Sequence, residues 1–179
     1  MKIDALIQKV KSQGKPTIDS VFSDTNDTDL SQLMAKISRV NCLEHTRTPK
    51  SKIFEHLKIL TAADYRVLRE GKLNDAYYEL IQKIASGHGI CRRKKNGSLA
   101  NEDNLTSFAS KFCGHHNQTA PFWDNLVHAK LIEWGYPNEY RNYPDYVEAI
   151  KKLRKDNGLQ KYSLRSVEMA IWSLAKHEG

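Results

Sequence analysis

SFASKFCGHHNQTAPFWDN, residues 107–125, reads as a helix, a turn and the start of a second helix. Leu105, Phe108, Ala109 and Phe112 recur at the three-and-four spacing of one helical face, Asn104 offers a capping side chain, and Gly114 marks an end. Pro121 marks the next beginning, and Phe122, Leu126, Val127, Leu131 and Trp134 form an apolar stripe that runs to Gly135. A lysine, a cysteine, two adjacent histidines, a tryptophan and an aspartate fall within this one hairpin of helices, so the stretch poses a chemical question as well as a structural one.

The same period extends in both directions. Upstream, residues 2–13 place Ile3, Leu6, Ile7 and Val10 on one face before Gly14 and a turn-rich linker. Thr28 or Asp27 can cap a helix carrying Leu30, Leu33, Met34, Ile37 and Val40, with a break at Pro49. Thr61 and Asp64 have capping-box spacing and Gly71 a C-terminal position; Leu73, Tyr77, Leu80, Ile81 and Ile84 then stripe a helix from about Leu73 to Ala85. Downstream, a helix after Pro144 turns Val147, Ile150 and Leu153 inward, and one capped by Ser163 turns Val167, Ala170, Ile171 and Leu174 inward. No stretch alternates long enough to be a strand, so the chain reads as all-α with about eight helices: an N-terminal helix and linker over 1–26 and a single helical domain over 27–179.

An apolar fraction of 40% and a charged fraction of 27% suit a folded, soluble domain of 179 residues. No apolar run approaches the roughly 18 residues that cross a bilayer, and the N-terminus lacks a signal-peptide core. The reading is cytoplasmic, with no membrane partner. Cys42, Cys91 and Cys113 form no close pair, which argues for reduced thiols. Lys and Arg number 28 against 21 acids, a net charge of +7 that favours a polyanionic partner.

That charge gathers in two places. Arg92, Arg93, Lys94 and Lys95, between glycine-rich flanks, make a cationic loop suited to phosphates, and Lys151, Lys152 and Lys155 line the outer side of a helix. Solvated surface is the plain alternative for both. Cys113, His115 and His116, even with His88 and Cys91, match no zinc-module spacing, so neither a metal nor another cofactor is expected. Phosphate-loop, nucleophile-elbow and zincin motifs are all absent.

TSFASKF, the FWDN that opens the next helix, and the late SVEMAIWSLAK together resemble the second half of the helix-hairpin-helix DNA glycosylase superfamily, especially the archaeal 8-oxoguanine glycosylases, over about residues 80–176. Ala109-Ser110, Asp124, and Glu168 with Trp172 lie over that family's Ala-Ser pair, catalytic aspartate and C-terminal acid with Trp. Ser107 stands where the bifunctional enzymes place their lysine, with Lys111 about one turn away, and the glycine-flanked hairpin is not matched. The resemblance implies a nucleic-acid partner, DNA ahead of RNA, and hydrolysis of an N-glycosidic bond through Asp124, with Lys111 the secondary candidate amine. A carboxylate there would stabilise an oxocarbenium-like state and orient water. Trp123, His115, His116 and Trp172 are the candidates to hold a flipped base. The alternative is a non-catalytic module on the same scaffold that holds DNA or a protein partner; there Asp124 is an ordinary residue at a helix N-terminus and the aromatics are core.

Overall fold

A computed structural model of the protein describes residues 4, 5, 7, 8, 22, 30–44, 50–87, 105–136 and 142–178. Among the described residues eight helices follow in order: α1 (Leu30–Glu44), α2 (Lys50–Leu57), α3 (Ala62–Glu70), α4 (Asp75–Ser86), α5 (Thr106–His116), α6 (Asn125–Glu133), α7 (Tyr143–Asp156) and α8 (Leu164–Glu178). No strand occurs among the described residues, and the fold is all-α. Asp4, Ala5, Ile7, Gln8 and Phe22 are also helical.

Local chemistry explains most of these ends. Thr61 and Asp64 form the reciprocal capping box of α3, and Gly71 closes that helix in the left-handed conformation at φ 69°. Asn74 caps α4 through Tyr77 N–H, so this helix begins at Asp75, two residues after the Leu73 expected from the apolar stripe. Asn142 caps α7 ahead of Pro144, and Ser163 Oγ accepts Ser166 N–H at the head of α8. Helix α2 has no counterpart in the sequence reading: among its described side chains, Ile53, His56 and Leu57 are buried.

Helix α5 is the centre of the packing. It lies against α1, α3 and α4, while α4 also meets α2, α3 and α7, and α8 packs on α6 and α7. Every residue from Phe108 to His115 is buried, so α5 is enclosed all round. An enclosed helix is ordinarily apolar on every face; this one carries Ser110, Lys111 and His115 into the interior. Among the expected stripe residues whose side chains are described, all lie in or against the core except Met34 and Leu126, which are exposed; Ile3, Leu6 and Val10 lie outside the described residues.

Besides the start of α4, three boundaries around α5 differ from the sequence reading. Its N-cap is Leu105, whose side chain makes no cap bond; the Leu105 N–H instead donates to Ala85 O at 3.0 Å, joining the start of α5 to the end of α4. Asn104 lies outside the described residues. Gly114 does not end the helix, which continues to His116. Pro121 does not begin one either: residues 121–124 are non-helical, and α6 starts at Asn125 with Asp124 as its cap. Gly114 is small for a different reason. A Cβ there would stand 2.5 Å from the Phe122 ring, so its absence lets the 119–124 connection press against α5.

The first residues reach the far end of the chain. Tyr162 Oη donates to Asp4 Oδ1 at 2.5 Å and accepts from Gln8 Nε2 at 2.8 Å, Lys161 Nζ stands 3.2 Å from Asp4, and Ile7 is buried in the common core.

Candidate functional site

The connection between α5 and α6 is held on almost every side by side chains from other elements. Arg165 N–H donates to Thr119 O at 3.2 Å. The Tyr143 and Tyr146 hydroxyls of α7 donate to Pro121 O at 2.6 Å and Phe122 O at 2.7 Å. From α5, Ser110 Oγ accepts Trp123 N–H at 2.9 Å and donates to Ser107 O, while Ser107 Oγ donates to Trp123 O at 3.3 Å. Two serines one turn apart thus clamp the peptide of Trp123, and the next residue along is Asp124.

Lys111 follows Ser107 by four residues, which on a helix places it on the same face. The clamp therefore brings the two expected catalytic residues together: Lys111 Nζ lies 3.7 Å from Asp124 Oδ2, with side chains only 8% and 19% exposed. The two carboxylate oxygens of Asp124 divide their tasks. Oδ1 accepts Leu126 N–H at 2.9 Å and caps α6, and Oδ2 faces the lysine. Trp123 lies beside the pair in sequence and is partly buried, its ring 5.2 Å from Tyr146 and 5.9 Å from His128. Burial holds the His128 imidazole below the usual histidine range.

Beneath the connection sits Glu168 of α8, 2% exposed. Its carboxylate is paired with Arg165 Nη1, and the Phe122 backbone beside it favours the charged form. Burial pushes its pKa up to about 7; Arg165 opposes the rise and the nearby Asp124 charge adds to it. Tyr143 and Tyr146 feel Glu168 as well, and burial holds both phenols far above their ordinary range, so they serve as neutral donors.

The other sequence candidates are dispersed. His115 is one turn beyond Lys111 and sits between Phe22, stacked at 4.9 Å, and Phe122, at 5.1 Å. His116 turns toward Phe22, Phe112 and Tyr65, and burial together with Lys36 lowers its pKa to about 3. Trp172 is 37% exposed with Lys176 Nζ 4.8 Å from its ring centre. Arg92, Arg93, Lys94, Lys95, His88 and Cys91 lie outside the described residues. On α7, Lys151 pairs with Glu148 at 2.6 Å and Lys152 with Asp156 at 2.8 Å, so acids of the same helix neutralise part of the expected cationic face; Lys155 is exposed. Among the described residues no group of three or more His, Cys, Asp or Glu could hold a metal ion, and no helix is long and apolar enough to cross a membrane.

Sequence reasoning did not single out Arg165, Tyr143, Tyr146 or Ser107 as parts of this arrangement. For Ser110 and Glu168 a signal exists: each is a polar residue inside an apolar helical stripe, at FASKF and SVEMAI.

A family model, HI_0787_N, described as an N-terminal domain, matches residues 2–120, about two thirds of the chain. The chain belongs to this family. No curated protein and no solved structure matches it. The HI_0787_N match ends within the clamped connection: Ser107, Ser110 and Lys111 lie inside it, and Asp124, Tyr143, Tyr146, Arg165 and Glu168 lie beyond it.

Proposed function

We propose that the protein binds nucleic acid, DNA ahead of RNA, and that Lys111 and Asp124 form a reaction centre for hydrolysis of an N-glycosidic bond, as in the helix-hairpin-helix glycosylases that the sequence resembles. The observation that carries this reading is the buried approach of Lys111 Nζ to Asp124 Oδ2 at 3.7 Å on a connection immobilised by four other side chains. A fixed carboxylate is suited to an oxocarbenium-like sugar, whose positive charge it stabilises as the base departs with the bonding electrons; the same carboxylate orients the attacking water. The lysine amine lies beside that carboxylate, where it can attack C1′ in place of water as the base leaves with the bonding electrons and takes up the amine's proton. Trp123 and His128 offer ring surfaces beside the pair for an extruded base.

The test is incubation with duplex and single-stranded oligonucleotides bearing a panel of damaged bases, followed by alkali to cleave abasic sites. Asp124→Asn is the informative variant, because asparagine caps a helix as well as aspartate. Base release lost in this variant, with salt-sensitive binding kept, supports the reading. Borohydride trapping of a covalent adduct that depends on Lys111 would assign the amine as nucleophile.

The capping bond from Leu126 N–H to Asp124 favours the second reading, a binding module in which the pair is structural. There Asp124→Asn alters stability alone, and no substrate in the panel loses a base.

A further inference from the structure

We propose that Glu168 is the positioning residue of the Lys111–Asp124 pair: from beneath the 119–124 connection its carboxylate holds the Arg165 guanidinium against the Phe122 ring, two residues before Asp124. The proposal rests on the functional reading of the pair given above.

Geometry carries the argument. Asp124 has a defined direction only because residues 119–123 are held, and Glu168 acts on that segment through Arg165. It orients Arg165, whose guanidinium carbon lies 3.2 Å from the centre of the Phe122 ring and whose backbone N–H holds Thr119 O. The Phe122 ring is then held by Arg165 and its C=O by Tyr146. The groups acting on Glu168 are few: Arg165 on its own helix, Asp124 at the head of α6, and the phenols of Tyr143 and Tyr146 on α7, with Lys111 of α5 reaching it through Asp124. Glu168 is too buried to touch a substrate, and a change in its charge is felt at Asp124 through a poorly screened interior. Its ionisation range near neutrality makes that influence variable with pH.

The test uses the full chain and begins without any substrate. In protein labelled at side-chain carboxyls, the Asp124 Cγ chemical shift is followed against pH in the wild type and in Glu168→Gln, which keeps shape and removes the charge. The wild type is expected to show two steps, Asp124's own ionisation and a smaller one near pH 7 from Glu168; the variant keeps the first and loses the second. Identical titrations in the two proteins overturn the proposal. Should Glu168→Gln fail to fold, Arg165→Lys perturbs the same carboxylate from its partner's side and is expected to move the second step by about half a pH unit or more; no movement overturns the proposal. Where base release is measurable, kcat in Glu168→Gln falls roughly ten- to hundredfold while KM changes little, and its pH profile loses the inflection near neutrality. A coupled Asp124 titration in a protein that releases no base from any substrate overturns the catalytic reading and not the coupling.

Discussion

The guanidinium carbon of Arg165 lies 3.2 Å from the centre of the Phe122 ring, and a nitrogen of the same group pairs with the buried carboxylate of Glu168. One side chain thus stacks on the connection between α5 and α6 and neutralises the acid beneath it. Replacing Arg165 by Leu leaves that acid in the interior without its cation. The expected loss is about 3 kcal/mol at pH 8, and clearly less at pH 5, where Glu168 is protonated and tolerates burial. Urea denaturation at the two pH values measures the difference.

Glu168 and His116 oppose each other in the wild type. The Glu168 pKa is raised from 4.5 to about 7, so its contribution is fully present below pH 4.5 and is lost as pH rises to 7. The His116 pKa is lowered from 6.5 to about 3, so its contribution is present above pH 6.5 and is lost as pH falls. Between these limits the two slopes offset, and the stability of the wild type is expected to be nearly flat from about pH 4.5 to 6.5. Single substitutions separate them. Over that window Glu168→Gln is expected to gain about 2–3 kcal/mol as pH rises, and His116→Phe to lose a similar amount. Parallel curves for the two variants would contradict the assignment.

Gly114→Ala drives a methyl into Phe122 Cε1 at 2.5 Å and Cδ1 at 2.9 Å, a ring already sandwiched by Arg165. Neither side can yield without moving the connection. The expected cost is about 2–3 kcal/mol, accompanied by altered Trp123 fluorescence and a slower reaction at Asp124 where one is observed. Calorimetry and emission spectra check this directly.

Gly87 closes α4 at φ 62°, and a Cβ there would meet the His56 ring at 2.6–2.9 Å. That ring is itself tied to Ile84 O through Nδ1 at 2.6 Å. Gly87→Ala therefore combines left-handed backbone strain of roughly 1–2 kcal/mol with a clash against an anchored neighbour. The melting temperature is expected to fall by more than in a control such as Ala63→Gly at an exposed position of α3.

The all-α class and most helix faces were legible because they depend on spacing within a dozen residues: the Thr61–Asp64 box, the Tyr77–Leu80–Ile81–Ile84 stripe and the Pro144 signal of a helix start are all local. Errors clustered where a distant partner decides. Pro121 has the signature of a helix start, yet the carbonyls of Pro121 and Phe122 are taken by Tyr143 and Tyr146, and only after them does Asp124 cap a helix. Gly114 has the signature of a stop, yet what demands glycine there is the ring of Phe122 across the turn. Lys111 and Asp124 were each singled out in sequence, but their meeting depends on the Ser107 and Ser110 clamp, which no periodicity encodes.

The end of the family match, at residue 120, falls inside the segment that α7 and α8 grip, while Asp4 and Gln8, within the match, hold Tyr162 beyond it. Residues 2–120 are therefore not interchangeable cargo. A recombination event that joined them to a different C-terminal partner would leave the Trp123 clamp half built, unless the newcomer again supplied two buried phenols and a guanidinium–carboxylate pair at the same depth. Descent through this lineage should accordingly transmit the two parts as one heritable unit, with compensating changes in α7 and α8 accompanying any drift at Ser107, Ser110 or Gly114.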